Sequence, residues 1–447
     1  MLNKVLKKIT PTSEEIIAEK KMVEEIRQHL KKIDGKHSHI EWCGSSARCT
    51  HLKGDKDLDL FIMYNKEMPE SELEKEGLRT AKKLFRGEKW EKAYSQHPYI
   101  RGIIKGFEVE LVPSYMVASG SEKQSAVDRT PFHNKFLLER MTQKQQEDTR
   151  LLKQFLKGIN AYGADLKNCA LPGYGVELLI LKHESFIKSI KAISEMNFGH
   201  TIVFENQTKE KAKELFEKTN APLILIDPVD ANRNVASALS LEQFERMVYA
   251  AKLFLKKPSE KFFFPTQKKA MPKEKAKKTL KTKELLAIRT IFPKNELEDI
   301  VWGQLRRQTK KIVTYLKERD FAVESANLWG NGKKALIVLQ LENIQLQKTK
   351  KITGPLASDE ANAKRFLDKK RKIISGPRVE EGRLVLEIER EETSAQKALE
   401  GFIKREKKES KLMQKARALN EKGILLEYNG EFAKWLSLYL EGKEVFE

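Results

Sequence analysis

The sequence predicts an α+β protein of several domains, with a mixed sheet and helices at its amino-terminal end. Short strand patterns occupy the first part of the chain, helical periodicity dominates from residue 144, and both return after residue 285. A chain of 447 residues is also too long for one ordinary domain. We therefore expect a first domain over 1–143, a helical second domain over 144–260, a basic linker over 261–284, and an α+β region over 285–447.

The first domain opens with a predicted amphipathic helix over residues 12–33. Val23 and Ile26 belong to an apolar series at helical spacing, and Thr12 with Glu15 forms a capping-box pattern. Four short strands are then predicted: His39–Cys43, Leu58–Met63, Tyr99–Lys105 and Phe107–Pro113. The last two should pair around a turn at Gly106, which makes this domain a sheet with helices.

The second domain is predicted from apolar helix faces. Leu151, Leu152 and Phe155 begin one such face, and Glu177–Ser189 and Leu241–Leu255 are further helical stretches. The linker carries eight lysines and one acidic residue between Lys268 and Lys283, which suits either a solvated hinge or a contact with RNA phosphate. Beyond it we predict a helix over Leu297–Leu316 and strands over Ala335–Leu341 and Leu384–Ile388.

The charge balance indicates a polyanionic partner. The chain has 85 Lys and Arg against 64 Asp and Glu, a formal net charge of +21, and neutralising phosphates releases counterions that drive binding. A lysine-rich surface without such a partner is the alternative. No stretch approaches the ~20 apolar residues of a spanning helix, so no membrane partner is expected. Three cysteines without a CxxC pair argue against disulfides or zinc and favour the cytoplasm.

The sharpest motif is Gly44-Ser45-Ser46-Ala47-Arg48, followed nine residues later by Asp57-Leu58-Asp59-Leu60-Phe61. Side chains two apart on a strand share a face, so two of these aspartates would lie together and repel unless a cation separated them. An oxygen-only site of this kind suits Mg²⁺, and a Gly-Ser turn offers donors to phosphate oxygens. The motif therefore indicates nucleotidyl transfer.

Strand parity leaves two choices open. Asp55 has the same parity as Asp57 and Asp59, so spacing does not choose among the three. On the predicted strand Phe107–Pro113, Glu108 and Glu110 likewise share a face, so spacing does not choose between them.

The joint pattern resembles the signature of the DNA polymerase β-like nucleotidyltransferase superfamily. There the metal pair follows the glycine, here Gly54, by three and five residues, which selects Asp57 and Asp59. In the archaeal CCA-adding enzymes, the neighbouring strand reads acidic-x-Val-Pro-x-Tyr, which selects Glu110. The family usually has aspartate at that position. The resemblance implies that all three are catalytic and hold two Mg²⁺ ions.

The resemblance to the archaeal CCA-adding family extends along the chain. Segments 128–133, 151–164, 173–179 and 227–235 look like its further motifs, and 354–387 matches more weakly. The resemblance implies that five residues contact the nucleotide triphosphate: Ser45, Arg48, His133, Lys153 and Tyr162. It implies that Arg233 contacts the base. Periodicity alone predicts a solvated Lys153, a structural His133, and a loop followed by a helix start over 227–235.

The family resemblance also implies a polymerase β-like palm as the head, a helical neck, and a body and tail that grip the acceptor and TΨC arms of tRNA. The reaction would be template-independent addition of C, C and A from CTP and ATP. A poly(A) polymerase, an oligoadenylate synthase-like enzyme or a catalytically inactive RNA-binding protein are the alternatives. The oligomeric state stays open, with a homodimer as one option.

Overall fold

The computed structural model forms two compact units. The first comprises Met1–Gln267 with Glu444–Glu447, and the second Lys268–Lys443. The structure describes the following residues: 1–33, 39–94, 98–205, 207–266, 269–294 and 296–447. The predicted head and neck fall within the first unit, so the expected boundary at 143/144 stays a prediction.

A five-stranded mixed sheet forms the head, in the order β1-β2-β5-β4-β3. Its strands are β1 (His39–Cys43), β2 (Asp57–Asn65), β3 (Lys89–Tyr94), β4 (Pro98–Ile104) and β5 (Phe107–Met116). The β2–β5 pair is parallel, and the other pairs are antiparallel. The four predicted strands and the turn at Gly106 are confirmed, whereas β3 was not predicted.

The helices of the first unit surround this sheet and build the neck. They are α1 (Leu2–Ile9), α2 (Ser13–Ile33), α3 (Gly44–Ala47), α4 (Glu70–Leu84), α5 (Thr130–Arg140), α6 (Gln143–Gly158), α7 (Gly173–His183), α8 (Phe186–Ser194), α9 (Lys209–Thr219) and α10 (Leu241–Lys256). The predicted capping box starts α2: the Thr12 amide donates to Glu15 at 2.7 Å, and the Glu15 amide donates to the Thr12 hydroxyl at 3.3 Å.

The head core fixes which face of β2 carries chemistry. Leu58, Leu60 and Ile62 are buried in one cluster with the apolar residues of α2 and α4. Because strand side chains alternate, Asp57 and Asp59 must point to the opposite face. Packing of the helices on one side therefore leaves the carboxylates on the other.

The neck has a core of packed phenylalanines. Phe155 of α6 contacts Phe186, Phe254, Phe262 and Phe263 with ring centroids 5.5–6.1 Å apart. The predicted helical face of α6 is confirmed, since its apolar residues are buried. The predicted helical stretch Glu177–Ser189 is confirmed, but it is divided between α7 and α8. Helix α7 ends at His183, because Glu184 takes a left-handed backbone conformation with a φ of 69°. Ser185 then caps α8.

The secondary structure expected for residues 227–235 of the neck is corrected by the structure. The neck carries a three-stranded sheet of β6 (His200–Ile202), β7 (Leu223–Asp227) and β8 (Asp230–Asn234). The segment 227–235, expected as a loop before a helix, is therefore mostly the β7–β8 hairpin. All five residues of β7 are buried, so the strand lacks the alternation that would have marked it in the sequence.

The predicted basic linker is not unstructured. It contains α11 (Lys273–Thr282), in which Ala276 and Leu280 are buried. Four-residue spacing places these two side chains on one helix face, leaving the lysines for the others. Lys268, at the start of the lysine run, lies outside the described residues.

The second unit contains two antiparallel sheets with the orders β10-β11-β9-β15 and β12-β14-β13. Its strands are β9 (Leu285–Ile291), β10 (Val323–Gly330), β11 (Lys334–Leu341), β12 (Thr349–Leu356), β13 (Ile373–Glu380), β14 (Arg383–Glu389) and β15 (Arg417–Leu419). Its other helices are α12 (Glu298–Lys317), α13 (Glu360–Leu367), α14 (Ala395–Glu406), α15 (Glu421–Glu427) and α16 (Gly430–Glu441). The predicted helix and both predicted strands are confirmed. In the described parts of the chain, no helix has the length and apolar character needed to cross a membrane.

Candidate active site

The parallel pairing of β2 with β5 brings the predicted carboxylates side by side. In this register Asp59 is opposite Glu110, and Asp57 is opposite Glu108. Glu110 is half-buried beside Asp59, whereas Glu108 is exposed. Asp55 lies outside β2, where its carboxylate accepts from the Leu52 amide at 3.2 Å. The structure thus separates residues that strand parity in the sequence left equivalent.

Gly44 is needed where α3 meets β2. It has a φ of +77°, and a Cβ atom at this position would lie 1.7 Å from Oδ2 of Asp59. Ser46 fastens the same turn to the strand, because its hydroxyl donates to the Asp57 carbonyl at 3.0 Å. The neighbouring Ser45 is half-buried at this turn. The Gly-Ser turn is therefore seated directly against the carboxylate face.

These carboxylates hold their protons more tightly than ordinary ones. Burial, followed by the charge of Asp59, raises the pKa of Glu110 to about 7. Burial also raises the pKa of Asp59 to about 6, with Asp57 adding to the effect and Arg48 opposing it. The pKa of Asp57 is raised by desolvation and then by Glu108. Clustered negative charge of this kind is relieved by a cation.

The donor set fits a hard divalent cation. Its oxygen-only chemistry suits Mg²⁺, which takes one or two carboxylates and completes its shell with water and substrate phosphates. Within the described residues, no group of three His, Cys, Asp or Glu side chains is arranged to hold a metal ion unaided. The placement of Asp59 opposite Glu110, with Asp57 on the same strand face and burial raising the pKa of all three, is what favours an ion at this place.

Arg48 is engaged within the protein. Its Nε and Nη2 donate to the two oxygens of Glu177 at 3.2 and 2.9 Å, and its Nη1 donates to Asn134 at 3.1 Å. Only 7% of the residue is exposed. A direct contact from Arg48 to phosphate stays a prediction, and the arrangement present is a bidentate ion pair between the head and the neck.

Lys153 is buried, which corrects the expectation of a solvated lysine. It is 3% exposed, and its Nζ donates to the Thr50 hydroxyl at 3.2 Å and lies 3.7 Å from Glu177. Burial lowers the pKa of Lys153 to about 8, and Glu177 opposes that shift. Tyr162 and Lys153 both lie beside Gly173. A Cβ atom added to Gly173 would be 2.9 Å from the Tyr162 hydroxyl and 3.8 Å from Cε of Lys153, so these two side chains are close to each other.

A second buried carboxylate, Asp227 at the end of β7, joins His133 to Arg233. Its Oδ2 lies 2.8 Å from His133 Nε2 and accepts from Arg233 Nη1 at 2.8 Å. Tyr174 stacks on His133 at 4.0 Å and donates to Asp227 at 3.3 Å. Burial would raise the pKa of Asp227, but hydrogen bonds from His133 and Arg233 hold it at about 2.

Burial lowers the pKa of His133, so we expect a neutral ring near pH 7 before a nucleotide binds. The side chain of Arg233 is 31% exposed, which leaves part of its guanidinium accessible to a ligand.

The structure thus arranges the predicted residues in three clusters. Asp57, Asp59 and Glu110 line the sheet; Arg48 and Lys153 meet at Glu177; His133 and Arg233 meet at Asp227. Sequence reasoning assigned no role to Glu177 or Asp227, although both lie in segments that resemble family motifs. An acidic residue within a matched motif was the signal that could have found them.

Three family models match successive parts of the chain. A nucleotidyltransferase domain matches residues 23–133, the second domain of a tRNA nucleotidyltransferase matches 147–264, and the C-terminal domain of the CCA-adding enzyme matches 281–418. The first match covers the sheet and its carboxylates. The polymerase β-like assignment of the head therefore holds, and residues 281–418 are of the type found at the C-terminus of CCA-adding enzymes.

Relatives align over nearly the whole chain. The CCA-adding enzyme of Methanosarcina mazei is 32% identical over 404 residues, which are 89% of this chain and 87% of the relative. That of Saccharolobus shibatae is 36% identical and covers 88% of this chain and 89% of its own length. That of Sulfurisphaera tokodaii is 33% identical and covers 85% and 86%. With its carboxylate-bearing sheet and this similarity over more than four fifths of its length, the chain belongs to the family of archaeal CCA-adding enzymes.

Proposed function

We propose that this protein adds C, C and A in turn to the 3′ end of tRNA, using CTP and ATP and no nucleic-acid template, and releases pyrophosphate at each step. The observation that carries the proposal is the register of β2 with β5, which sets Asp59 beside Glu110 in a member of this family. The 3′-oxygen of the RNA attacks the α-phosphorus, and the bond to pyrophosphate breaks. The cytoplasm is the expected place of this reaction.

Asp57, Asp59 and Glu110 would hold two Mg²⁺ ions. When bound, these ions would supply the charge that lowers the pKa of the attacking hydroxyl and stabilises the leaving pyrophosphate. Glutamate at position 110 reaches one methylene further than the aspartate usual in the family. The half-burial of Glu110 and its place opposite Asp59 support this assignment over Glu108.

The residues around Glu177 and Asp227 would bind the nucleotide. Ser45, Lys153 and Tyr162 would hold the triphosphate in line with the RNA 3′-hydroxyl, which supplies the positioning part of the rate enhancement. His133 uses its Nε2–H on Asp227, so it would donate to the bound triphosphate from Nδ1 as an imidazolium. Arg48 would add positive charge beside Lys153, since both pair with Glu177. Arg233, anchored at one end by Asp227, would present its remaining donors to the base.

The tRNA would be gripped mainly through its backbone. The excess of 85 basic over 64 acidic residues supports electrostatic binding of a polyanion. The match of residues 281–418 to the C-terminal domain of a CCA-adding enzyme supports a role for the second unit in holding the acceptor and TΨC arms.

Incorporation of labelled CTP into tRNA lacking its last three nucleotides tests the proposal. Asp57→Ala, Asp59→Ala and Glu110→Gln should each slow transfer roughly a thousand-fold, because several kcal/mol of transition-state stabilisation are lost. Glu108→Gln, which changes the exposed neighbour, should transfer at a rate near that of the unchanged protein. Repeated ATP addition without CTP use, or no metal-dependent incorporation, would contradict the proposal.

A further inference from the structure

We infer that Glu177 is a positioning residue of the nucleotide site. It is a buried carboxylate of the neck that fixes Arg48 and Lys153, the two cationic side chains proposed to serve the triphosphate. This inference rests on the proposed function, since it takes the triphosphate as the ligand of Lys153 and of the charge supplied by Arg48. Glu177 would touch neither substrate nor metal and would act through these side chains.

The contacts of Glu177 use both carboxylate oxygens. Oε2 accepts from Arg48 Nη2 at 2.9 Å, while Oε1 accepts from Arg48 Nε at 3.2 Å. Oε1 also accepts a short hydrogen bond from the Thr50 hydroxyl, and Lys153 Nζ lies 3.7 Å away. Thr50 in turn accepts from Lys153 at 3.2 Å. One carboxylate therefore sets the positions of a guanidinium, a hydroxyl and an ammonium.

This cluster joins four elements distant in sequence. Arg48 directly follows α3, Asn134 lies on α5, Lys153 on α6 and Glu177 on α7. The two Arg48–Glu177 hydrogen bonds span 129 residues and connect the metal-facing turn of the head to the neck. A change in Glu177 would thus reach the triphosphate side chains without altering the carboxylates on β2 and β5.

Charge explains why an acid is needed there. Glu177 is fully buried, Lys153 is 3% exposed and Arg48 is 7% exposed. Two cations brought together away from water repel, and burial would favour loss of the lysine proton. One carboxylate between them leaves a net charge of one positive unit, which keeps the ammonium charged and still attracts a polyphosphate.

The experiment uses Glu177→Gln in the full-length protein, with CTP and ATP as probes and tRNA lacking CCA as acceptor. The variant keeps the side-chain shape and removes the charge. The KM for both nucleotides should rise about tenfold or more, since charge-assisted contacts to phosphate are weakened. The Kd for tRNA should stay unchanged, because the backbone contacts proposed for the second unit are untouched.

The pH profile distinguishes positioning from mere support of the fold. The charged groups acting on Lys153 are Glu177, Arg48, Asp55 and Lys157, and Asp59 of β2 also interacts with its charge. The value of kcat/KM for CTP should fall in the unchanged protein as pH rises through about 8, the pKa of Lys153. Glu177 raises that pKa, so its neutralisation should move this falling limb to lower pH. A purely structural role would reduce activity at every pH and leave the limb in place.

A matched control and a conservative variant complete the test. Glu406 in the second unit is also buried and pairs with Lys311 at 2.8 Å, so Glu406→Gln should lower the Tm and leave KM and the limb unchanged. Glu177→Asp keeps the charge but shortens its reach, so it should raise KM while the limb stays. It replaces Glu177→Gln if that variant does not fold.

An unchanged KM in folded Glu177→Gln or Glu177→Asp would overturn the inference, as would a limb that stays in place in Glu177→Gln. Absence of CTP incorporation by the unchanged protein would instead contradict the proposed function.

Discussion

Asp59 has a raised pKa in a position where metal binding needs the ionised form. Its carboxylate keeps a pKa of about 6 in the folded protein, while an exposed aspartate ionises near 3.8. Between these values the folded state binds more protons than the unfolded state, so stability falls as pH rises. Asp59→Asn should therefore raise the Tm of the metal-free protein at pH 8 by about 2 °C or more. At pH 3.5 the gain should vanish; thermal melts in a chelator check both.

As a proposed metal ligand, Glu110 should make the reaction depend on pH and metal concentration. With the pKa of Glu110 at about 7 and that of Asp59 at about 6, kcat/KM for CTP should rise between pH 6 and 7 as the ligands ionise. Metal and proton compete for the same oxygens, so a tenfold increase in Mg²⁺ should move this rise to lower pH. A rising limb that ignores Mg²⁺ would argue against Glu110 and Asp59 as ligands.

Gly44 tests the seating of the Gly-Ser turn. Gly44→Ala would place a methyl group 1.7 Å from Oδ2 of Asp59 and displace that carboxylate. Gly87 is the matched control, because it has a similar φ of +88° and nothing within 4 Å of its added Cβ. Both variants should lose about 1–2 kcal/mol of stability from the left-handed backbone. Only Gly44→Ala should lose CTP incorporation, by an expected hundred-fold or more.

At the scale of elements, the β7–β8 hairpin connects His133 to Arg233 through Asp227. Asp227 at the end of β7 holds His133 from the head, and Arg233 from β8 meets the same oxygen. If the phosphates of a nucleotide contact His133, its base would lie near the guanidinium of Arg233. Asp227 sets the position of both side chains. The hairpin would then couple triphosphate binding to the choice of base.

Arg233→Ala should therefore change the ratio of CTP to ATP efficiency or admit UTP and GTP. A lost base contact is worth ~1–3 kcal/mol of discrimination, roughly 5- to 150-fold. The measurement is kcat/KM for all four nucleotides beside a melting curve. Arg246→Ala is the control, since Arg246 pairs with Glu444 in the same unit at 2.9 Å and should affect stability alone. Unchanged ratios in Arg233→Ala, with a lower Tm, would leave Arg233 only a bracing role.

At the scale of the whole molecule, the net charge of +21 predicts salt-dependent binding of tRNA. A plot of log K against log[salt] should fall linearly with a slope that corresponds to several phosphates. Changing bases outside the acceptor end should matter little, because backbone contacts carry no sequence information. The binding of CTP, which has far fewer charges, provides the comparison. If the affinity for tRNA did not change with salt concentration, the lysine excess would have no role in tRNA binding.

The sequence by itself determined the elements whose residues carry a local signal. Helix α2 follows from its apolar periodicity and a capping box, and strand β2 follows from the compact segment Leu58–Met63. The Asp57–Asp59 spacing places both carboxylates on one face of that strand. The same reasoning did not find β7 or the turn at Glu184. A fully buried strand has no alternation, and a helix break at an ordinary residue has no compositional mark.

Only the tertiary structure decided which charged side chains meet. Strand parity did not distinguish Asp55 from Asp57 as a candidate metal ligand. In the structure Asp57 pairs with β5, whereas Asp55 accepts a hydrogen bond from the Leu52 amide in a turn. Periodicity made Lys153 a surface lysine, yet a carboxylate on another helix stabilises it in the interior. Burial and charge pairing depend on contacts between residues on different elements, such as Arg48 and Glu177, which are 129 positions apart, and no local spacing encodes those contacts.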